Sequence, residues 1–169
     1  MRLRKIIYFG VICLFLLGLI LWDIRFFSLR EIDDVHPDLN CSNEYLSKSD
    51  VLWIVPDFNG RSILNESGWC ERIKNLNKSL GLHGVRHNFN EFNGNLNGTY
   101  LDFGIDIFEK CFGLHPDKFK PPQLAISYEN RKLVESRNME TKGKFNQMIH
   151  KVYHCNDSGR FSNKFIDWF

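Results

Sequence analysis

The chain of 169 residues has almost no surplus of charge: 22 Lys and Arg against 20 Asp and Glu leave a formal net charge of +2. That balance excludes nucleic acid, or any polyanion, held by charge alone. No period of repeated residues occurs, which excludes a repeat architecture. Nor is the chain poor in apolar residues; at 43% hydrophobic it is too apolar to be disordered. Cys-x-x-Cys is absent, and with it the usual cysteine zinc site; His-Glu-x-x-His is absent, and with it the metalloprotease helix. The length fits one modest domain.

What is present begins with residues 6–22, an uncharged run of Leu, Ile, Phe and Val with Tyr8 and Trp22 near its ends. As a helix it is about 25 Å long, the short end of what crosses a bilayer. Arg2, Arg4 and Lys5 precede it, while Asp23 and Arg25 follow and cancel, so the positive-inside bias places the N-terminus in the cytoplasm. A cleaved signal peptide and a buried core helix compete with this reading. The bulky residues around position 22 offer no Ala-x-Ala cleavage pattern, however. The expected organisation is a basic cytoplasmic start at 1–5, a transmembrane signal anchor at 6–22 and an extracytoplasmic domain at 23–169. Beyond position 22 the count is 19 basic to 20 acidic side chains.

Cys13 falls in the anchor, leaving Cys41, Cys70, Cys111 and Cys155 outside. Two bridges in any of three pairings, or four unpaired thiols, fit that set. Asn-x-Ser/Thr triplets, among them those at Asn65, Asn77, Asn97 and Asn156, permit glycosylation, although an Asn-rich chain makes them by chance.

Past the anchor, short apolar runs alternate with helical spacing. Strands are expected over 26–32, 51–55, 80–82 and 152–154. Helices are expected over roughly 67–80, over 100–112 stopped by Gly113, and over 127–136 capped by Ser127, with an amphipathic segment over 160–169. Such alternation implies βαβ units and a parallel sheet or barrel. About 147 residues allow five or six units, not an eightfold barrel. Chemistry then belongs at the C-terminal ends of the strands, where Asp33-Asp34, His83 and His154 each fall.

His83 and His87 are spaced so that one helical turn would turn both rings to one side, toward a shared divalent ion. Capping or surface histidines are the plainer explanation of such a pair. Adjacent carboxylates at the end of an extended strand, as in Asp33-Asp34, point in opposite directions, so one can bind a metal while its neighbour faces a water bound to the same ion. Two His and one Asp with a second Asp as base make a mononuclear hydrolytic site with one open position. His36 and His115 read as exposed turn residues. His150 and His154 are expected on one strand face, too far apart to share an ion. Trp53, Trp69 and Trp168 suit the core better than sugar stacking.

The order of elements resembles the polysaccharide deacetylase family (the NodB-homology carbohydrate esterases), in its divergent deacetylase-like branch. The resemblance is carried by Ile32-Asp-Asp-Val-His-Pro37, Leu82-His-Gly-Val-Arg-His87, Phe112-Gly-Leu-His-Pro116 with Phe119-Lys-Pro-Pro122, and Val152-Tyr-His-Cys155. It implies a compact α/β fold, an incomplete, distorted (β/α) barrel, here preceded by one transmembrane helix. It implies one divalent ion, usually zinc, held by Asp34, His83 and His87. It implies Asp33 as general base, His154 as the acid that protonates the leaving amine, and Lys120, Pro121 and Pro122 as a loop beside the substrate. Three departures stand out. Gly84 replaces the family's Ser or Thr after the first metal His. Only Lys120 is available where an Arg commonly orients the base, and Lys cannot make Arg's bidentate contact. Lys151 takes the place of a Leu before the acid. The expected function is a membrane-anchored, metal-dependent hydrolase that removes N-acetyl groups from envelope glycan, its partners being the membrane and that glycan. The alternative is a non-catalytic module of the same fold that binds glycan or a protein at the membrane surface.

Overall fold

The computed structural model describes residues 2–169. It opens with α1 (Arg2–Phe27), a helix of 26 residues and roughly 39 Å. Apolar side chains cover it all round, Ile6, Phe9, Leu14, Phe15 and Leu17 among those exposed. Such a helix suits a lipid environment. It is the one helix among the described residues long and apolar enough to cross a membrane. It runs further than the uncharged run at 6–22, through Phe26 and Phe27, which sequence pattern assigned to a strand. Propagating an existing helix adds one hydrogen bond per residue fixed, and the Ser28 hydroxyl donates to the Ile24 carbonyl at 2.7 Å, satisfying an orphan acceptor of the last turn.

The remaining elements follow as β1 (Arg30–Val35), α2 (Asn43–Lys48), β2 (Val51–Ile54), β3 (Asp57–Phe58), β4 (Arg61–Ser62), α3 (Trp69–Lys74), β5 (Ser79–Leu82), α4 (Gly98–Phe112), β6 (Lys118–Phe119), α5 (Tyr128–Glu135), β7 (Glu140–Thr141), α6 (Lys144–Ile149), β8 (Lys151–His154) and α7 (Asn163–Trp168). Apart from the antiparallel hairpin β3–β4, the strands form one sheet in the order β7-β6-β5-β2-β1-β8, and every pairing in it is parallel. Neighbours therefore follow chain order, with the last strand returning beside the first. That is the order of a (β/α) barrel, left open among the described residues between β7 and β8. The α/β class and the incomplete barrel expected from sequence are both present.

The central strands β1, β2 and β5 are buried on both faces, as parallel strands covered by helices must be. Ile32, Leu52, Ile54, Leu82, Phe108, Phe119 and Tyr153 form the heart of the core. The helix α4 begins at an Asn97 cap, whose side chain accepts from the Thr99 amide, and stops at Gly113 in the left-handed region. The helix expected over 67–80 is shorter: α3 covers only Trp69–Lys74, and Leu80 belongs to β5. Burial beside Leu52 in the sheet register outweighs its helical spacing. Two disulfides resolve the three possible pairings as Cys41–Cys155 and Cys70–Cys111.

Candidate metal centre

Because every sheet strand runs the same way, β1, β5 and β8 deliver their C-terminal residues to one end of the sheet. Asp33 pairs in register with His154 across β1 and β8, and His83 follows directly on β5 with its amide donating to the Ile54 carbonyl at 2.7 Å. Asp33, Asp34, His83, His87 and His154 all line a single cavity of about 640 Å³.

Two local expectations fail here for definable reasons. The aspartates do not alternate as on a regular strand. Asp34 has φ of 64° and the β1–β2 register shifts between Ile32 and Val35. This irregularity turns both carboxylates to the same cavity. His83 and His87 do not share a helical turn either. Gly84 and His87 both lie at positive φ, 64° and 61°, which a right-handed helix does not allow.

The loop instead wraps around Glu91. Its carboxylate accepts from the backbone amides of Val85 (3.2 Å), Arg86 (2.6 Å) and His87 (3.2 Å), and the Tyr100 hydroxyl donates to it as well. Successive amides converging on one anion make a nest. Here the anion belongs to the chain, and it folds the loop until the two imidazole centroids lie 4.9 Å apart. The hairpin β3–β4 braces the other side, with the Asp57 amide donating to the Val85 carbonyl at 2.9 Å and Arg86 Nε donating to the Asp57 carboxylate at 2.8 Å. A Cβ on Gly84 would fall on Oε2 of Glu91 and within 2.6 Å of the Pro122 ring. Glycine at position 84 is thus tied to Glu91, which the sequence motifs did not single out. Its one signal is that it is the only acidic residue between His83 and Tyr100.

Asp34, His83 and His87 each offer a ligand atom, all lying within 4.8 Å of one another. Oδ1 of Asp34 is 2.9 Å from Nε2 of His87 and 3.3 Å from Nε2 of His83, yet it is buried with no hydrogen bond. These contacts are close without the alignment of donor to acceptor. The tautomer explains part of this. Nδ1 of His83 lies 2.8 Å from the Lys120 carbonyl, which can only accept, so Nδ1 donates and neutral His83 turns a lone pair toward Asp34. Three ligand atoms this close together, one of them orphaned and buried, fit a divalent ion. With no ion a proton serves instead. Burial lowers the His83 pKa, but the carboxylates of Asp34 and Asp33 outweigh it and raise it. Burial likewise pushes Asp34 up, and the two imidazoles more than reverse it, holding the carboxyl well below its ordinary range. Ser158 donates from Oγ to Asp34 Oδ2 at 3.0 Å, fixing the other oxygen.

Asp33 sits beside this cluster. Its Oδ1 accepts from Lys120 Nζ at 2.8 Å, and its Oδ2 lies 3.6 Å from Nε2 of His154. Lys120 also donates to Glu31 Oε2 at 3.2 Å. Glu31 is held besides by the Trp53 indole at 2.8 Å and by His150 Nδ1 at 2.5 Å. Burial raises the Glu31 pKa, but His150, Lys120 and Trp53 together bring it down to about 2. Lys120 is 0% exposed. Of the three loop residues expected beside substrate, only Pro121 lines the cavity; Lys120 is turned inward under Asp33 and Pro122 is buried.

The other histidines take structural places. His36, expected to be exposed, is 1% exposed; one ring nitrogen lies 2.9 Å from the Arg61 carbonyl and the other accepts from the Asp38 amide at 3.1 Å. His150 closes α6 rather than sharing a strand with His154. His115 stays outside the sheet, between Glu109 and the Arg137 carbonyl. Trp53 and Trp69 are buried and Trp168 is exposed.

Fold and site together define an α/β protein with a candidate mononuclear metal centre at the C-terminal ends of parallel strands. No protein-family profile and no curated protein matches the chain. Solved structures similar to it in part are those of BA3943, a CE4 family pseudoenzyme from Bacillus anthracis, as the wild type, as a mutant, and as a mutant with restored enzymatic activity. Each aligns with a TM-score of 0.45 and 17% identity over 54% of this chain. The match spans only 31–32% of those chains.

Proposed function

We propose that the chain is a membrane-anchored, metal-dependent hydrolase that removes N-acetyl groups from envelope glycan. One observation carries this reading: the orphaned Asp34 Oδ1 converges with Nε2 of His83 and of His87, while Asp33 and His154 line the same cavity. Asp34, His83 and His87 would hold one divalent ion, zinc by the family resemblance, which when bound supplies Lewis-acid polarisation of the acyl oxygen. Asp33 accepts the proton of the attacking water, and Lys120 fixes the carboxylate that does so. His154 gives a proton to the departing nitrogen, so that the C–N bond breaks with a neutral amine as leaving group. Gly159 packs against the His154 ring, where a Cβ would lie 2.5 Å from Nδ1, and so holds Nε2 toward Asp33.

The test is acetate release from N-acetylated glycan oligomers, read beside metal content. Asp34→Asn should lower metal occupancy, because a neutral amide is a poorer ligand than a carboxylate. Asp33→Asn and His154→Ala should keep the metal and lose turnover by about 10²–10⁴-fold. Wild-type protein that binds metal and releases no acetate would sink the proposal.

For location we propose that α1 spans the membrane with its N-terminus in the cytoplasm, supported by Arg4 and Lys5 ahead of the apolar run. Protease protection of residues 33–169 in sealed vesicles tests it, and digestion from the cytoplasmic side would overturn it.

A further inference from the structure

The metal-side cavity shares two lining residues, Gln147 and Arg160, with a second cavity of about 390 Å³. The second is mainly apolar, walled by Val152 of β8, by Phe165 and Phe169 in and after α7, and by Leu21 of α1. Leu21 belongs to the helix that can cross a membrane. The cavity therefore begins where the apolar helix meets the domain and ends at the wall of the catalytic cavity.

Its structure is fixed rather than incidental. The Trp22 indole donates to the Trp168 carbonyl at 3.4 Å, and the Arg25 guanidinium lies 5.2 Å from the Phe169 ring centroid, so α7 is fastened to α1. Arg25 lines the cavity and is only 5% exposed. Its Nη1 donates to the Met148 carbonyl at 2.8 Å, but its Nε is buried without a partner, as is Oε1 of Gln147. Buried polar atoms in folded proteins are as a rule paired. A buried guanidinium with a spare donor, in an apolar cavity, calls for an anion.

We infer that this second cavity holds the hydrocarbon chain of an amphiphilic, anionic substrate: an N-acetylated sugar joined through phosphate to a lipid. The chain lies among Leu21, Val152 and Phe165, the phosphate meets the guanidinium groups of Arg25 and Arg160, and the sugar reaches the metal-side cavity past Gln147. The identity of the sugar rests on the deacetylase reading; the lipid and the anion rest on the second cavity alone. A bilayer would supply such a substrate directly, because α1 itself walls the cavity through Leu21. A soluble glycan would need neither the apolar wall nor the buried arginine.

The probe is N-acetylglucosamine linked through phosphate to a dodecyl chain that carries a diazirine, offered to the full chain in nanodiscs. Photolabel should appear on residues 148–165. It should fall at least about tenfold, the equivalent of losing one buried contact, in Met148→Trp, which fills the cavity from an exposed position, and in Phe161→Ala with Phe165→Ala, which opens it. Acetate release from the probe should exceed that from lipid-free oligomers, and both variants should erase the difference without slowing release from the oligomers. Label confined to α1, or unchanged in both variants, would mean that this face merely rests on lipid and would overturn the inference. Labelling as expected with no acetate released from either substrate supports the lipid cavity and overturns the deacetylase reading. Acetate from oligomers with no label on the domain does the reverse.

Discussion

Lys120 serves Asp33 and His83 at once: its ammonium lies 2.8 Å from Oδ1 of Asp33 while its carbonyl, 2.8 Å from Nδ1, fixes the tautomer of His83. A single residue thus couples the proposed base to the proposed metal ligand. Its side chain is wholly buried between two carboxylates, Asp33 and Glu31. Removing the cation should leave both uncompensated, and breaking a buried pair in this way costs about 3–5 kcal/mol. Lys120→Met should therefore lower the unfolding free energy obtained from urea denaturation by that amount; a loss under about 1 kcal/mol, the size of a surface pair, would show that the ammonium is not essential to the fold.

Glu91 touches no ligand ring, yet it sets the loop that carries two of them. Glu91→Ala should release the amides of residues 85–87 and weaken metal binding by about 10–100-fold, the usual effect of losing a supporting contact around a metal. Competitive titration against a chromogenic chelator measures this. Affinity equal to wild type would mean that the loop holds its shape without the carboxylate.

Stability should decline in acid through Glu31. A carboxyl whose pKa falls from 4.5 unfolded to about 2 folded stabilises the protein fully above about pH 4.5, and that contribution is lost as pH falls toward 2. The shift corresponds to roughly 3 kcal/mol. Urea unfolding at pH 7 and pH 3 should show Glu31→Gln losing less than wild type over this interval, and parallel losses would assign the acid sensitivity elsewhere.

The Cys41–Cys155 bridge joins residues 114 apart, and in the chain-entropy account a loop of that size stabilises by about 4–5 kcal/mol. Cys155 directly follows His154. Cys41→Ser with Cys155→Ser should thus cost both melting temperature and turnover, whereas metal content, set by other strands, should hold. Scanning calorimetry with and without reductant, beside elemental analysis, separates these effects.

The strands at 51–54, 79–82 and 151–154 and the helices at 98–112 and 128–135 were legible because local signals agreed: buried apolar runs, helical apolar spacing, a Ser cap at 127, a glycine stop at 113. Position at strand ends was legible too, since it follows from parallel topology. What could not be read was backbone handedness. Nothing local says that Asp34 and His87 adopt positive φ, so the aspartates were expected to diverge and the histidines to share a helix. His36 was misplaced for a different reason, as its burial depends on a partner at Arg61 that only the tertiary fold brings near; Lys120 lies against Asp33, where the motif order offered it for orienting the base, but its burial against Glu31 could not be read. Disulfide pairing is of the same kind, set by which elements become neighbours.

The carboxylate of Glu91 stands where a side chain at position 84 would have to begin, so the two positions cannot mutate independently. Gly84→Ser alone meets the Glu91 oxygen, the Pro122 ring and a positive φ that serine adopts only with strain. Shortening Glu91 alone abandons three backbone amides. A side chain at 84 and the carboxylate at 91 therefore compete for one space: a larger residue at 84 should be tolerated only when residue 91 is shortened and another anion takes its amides.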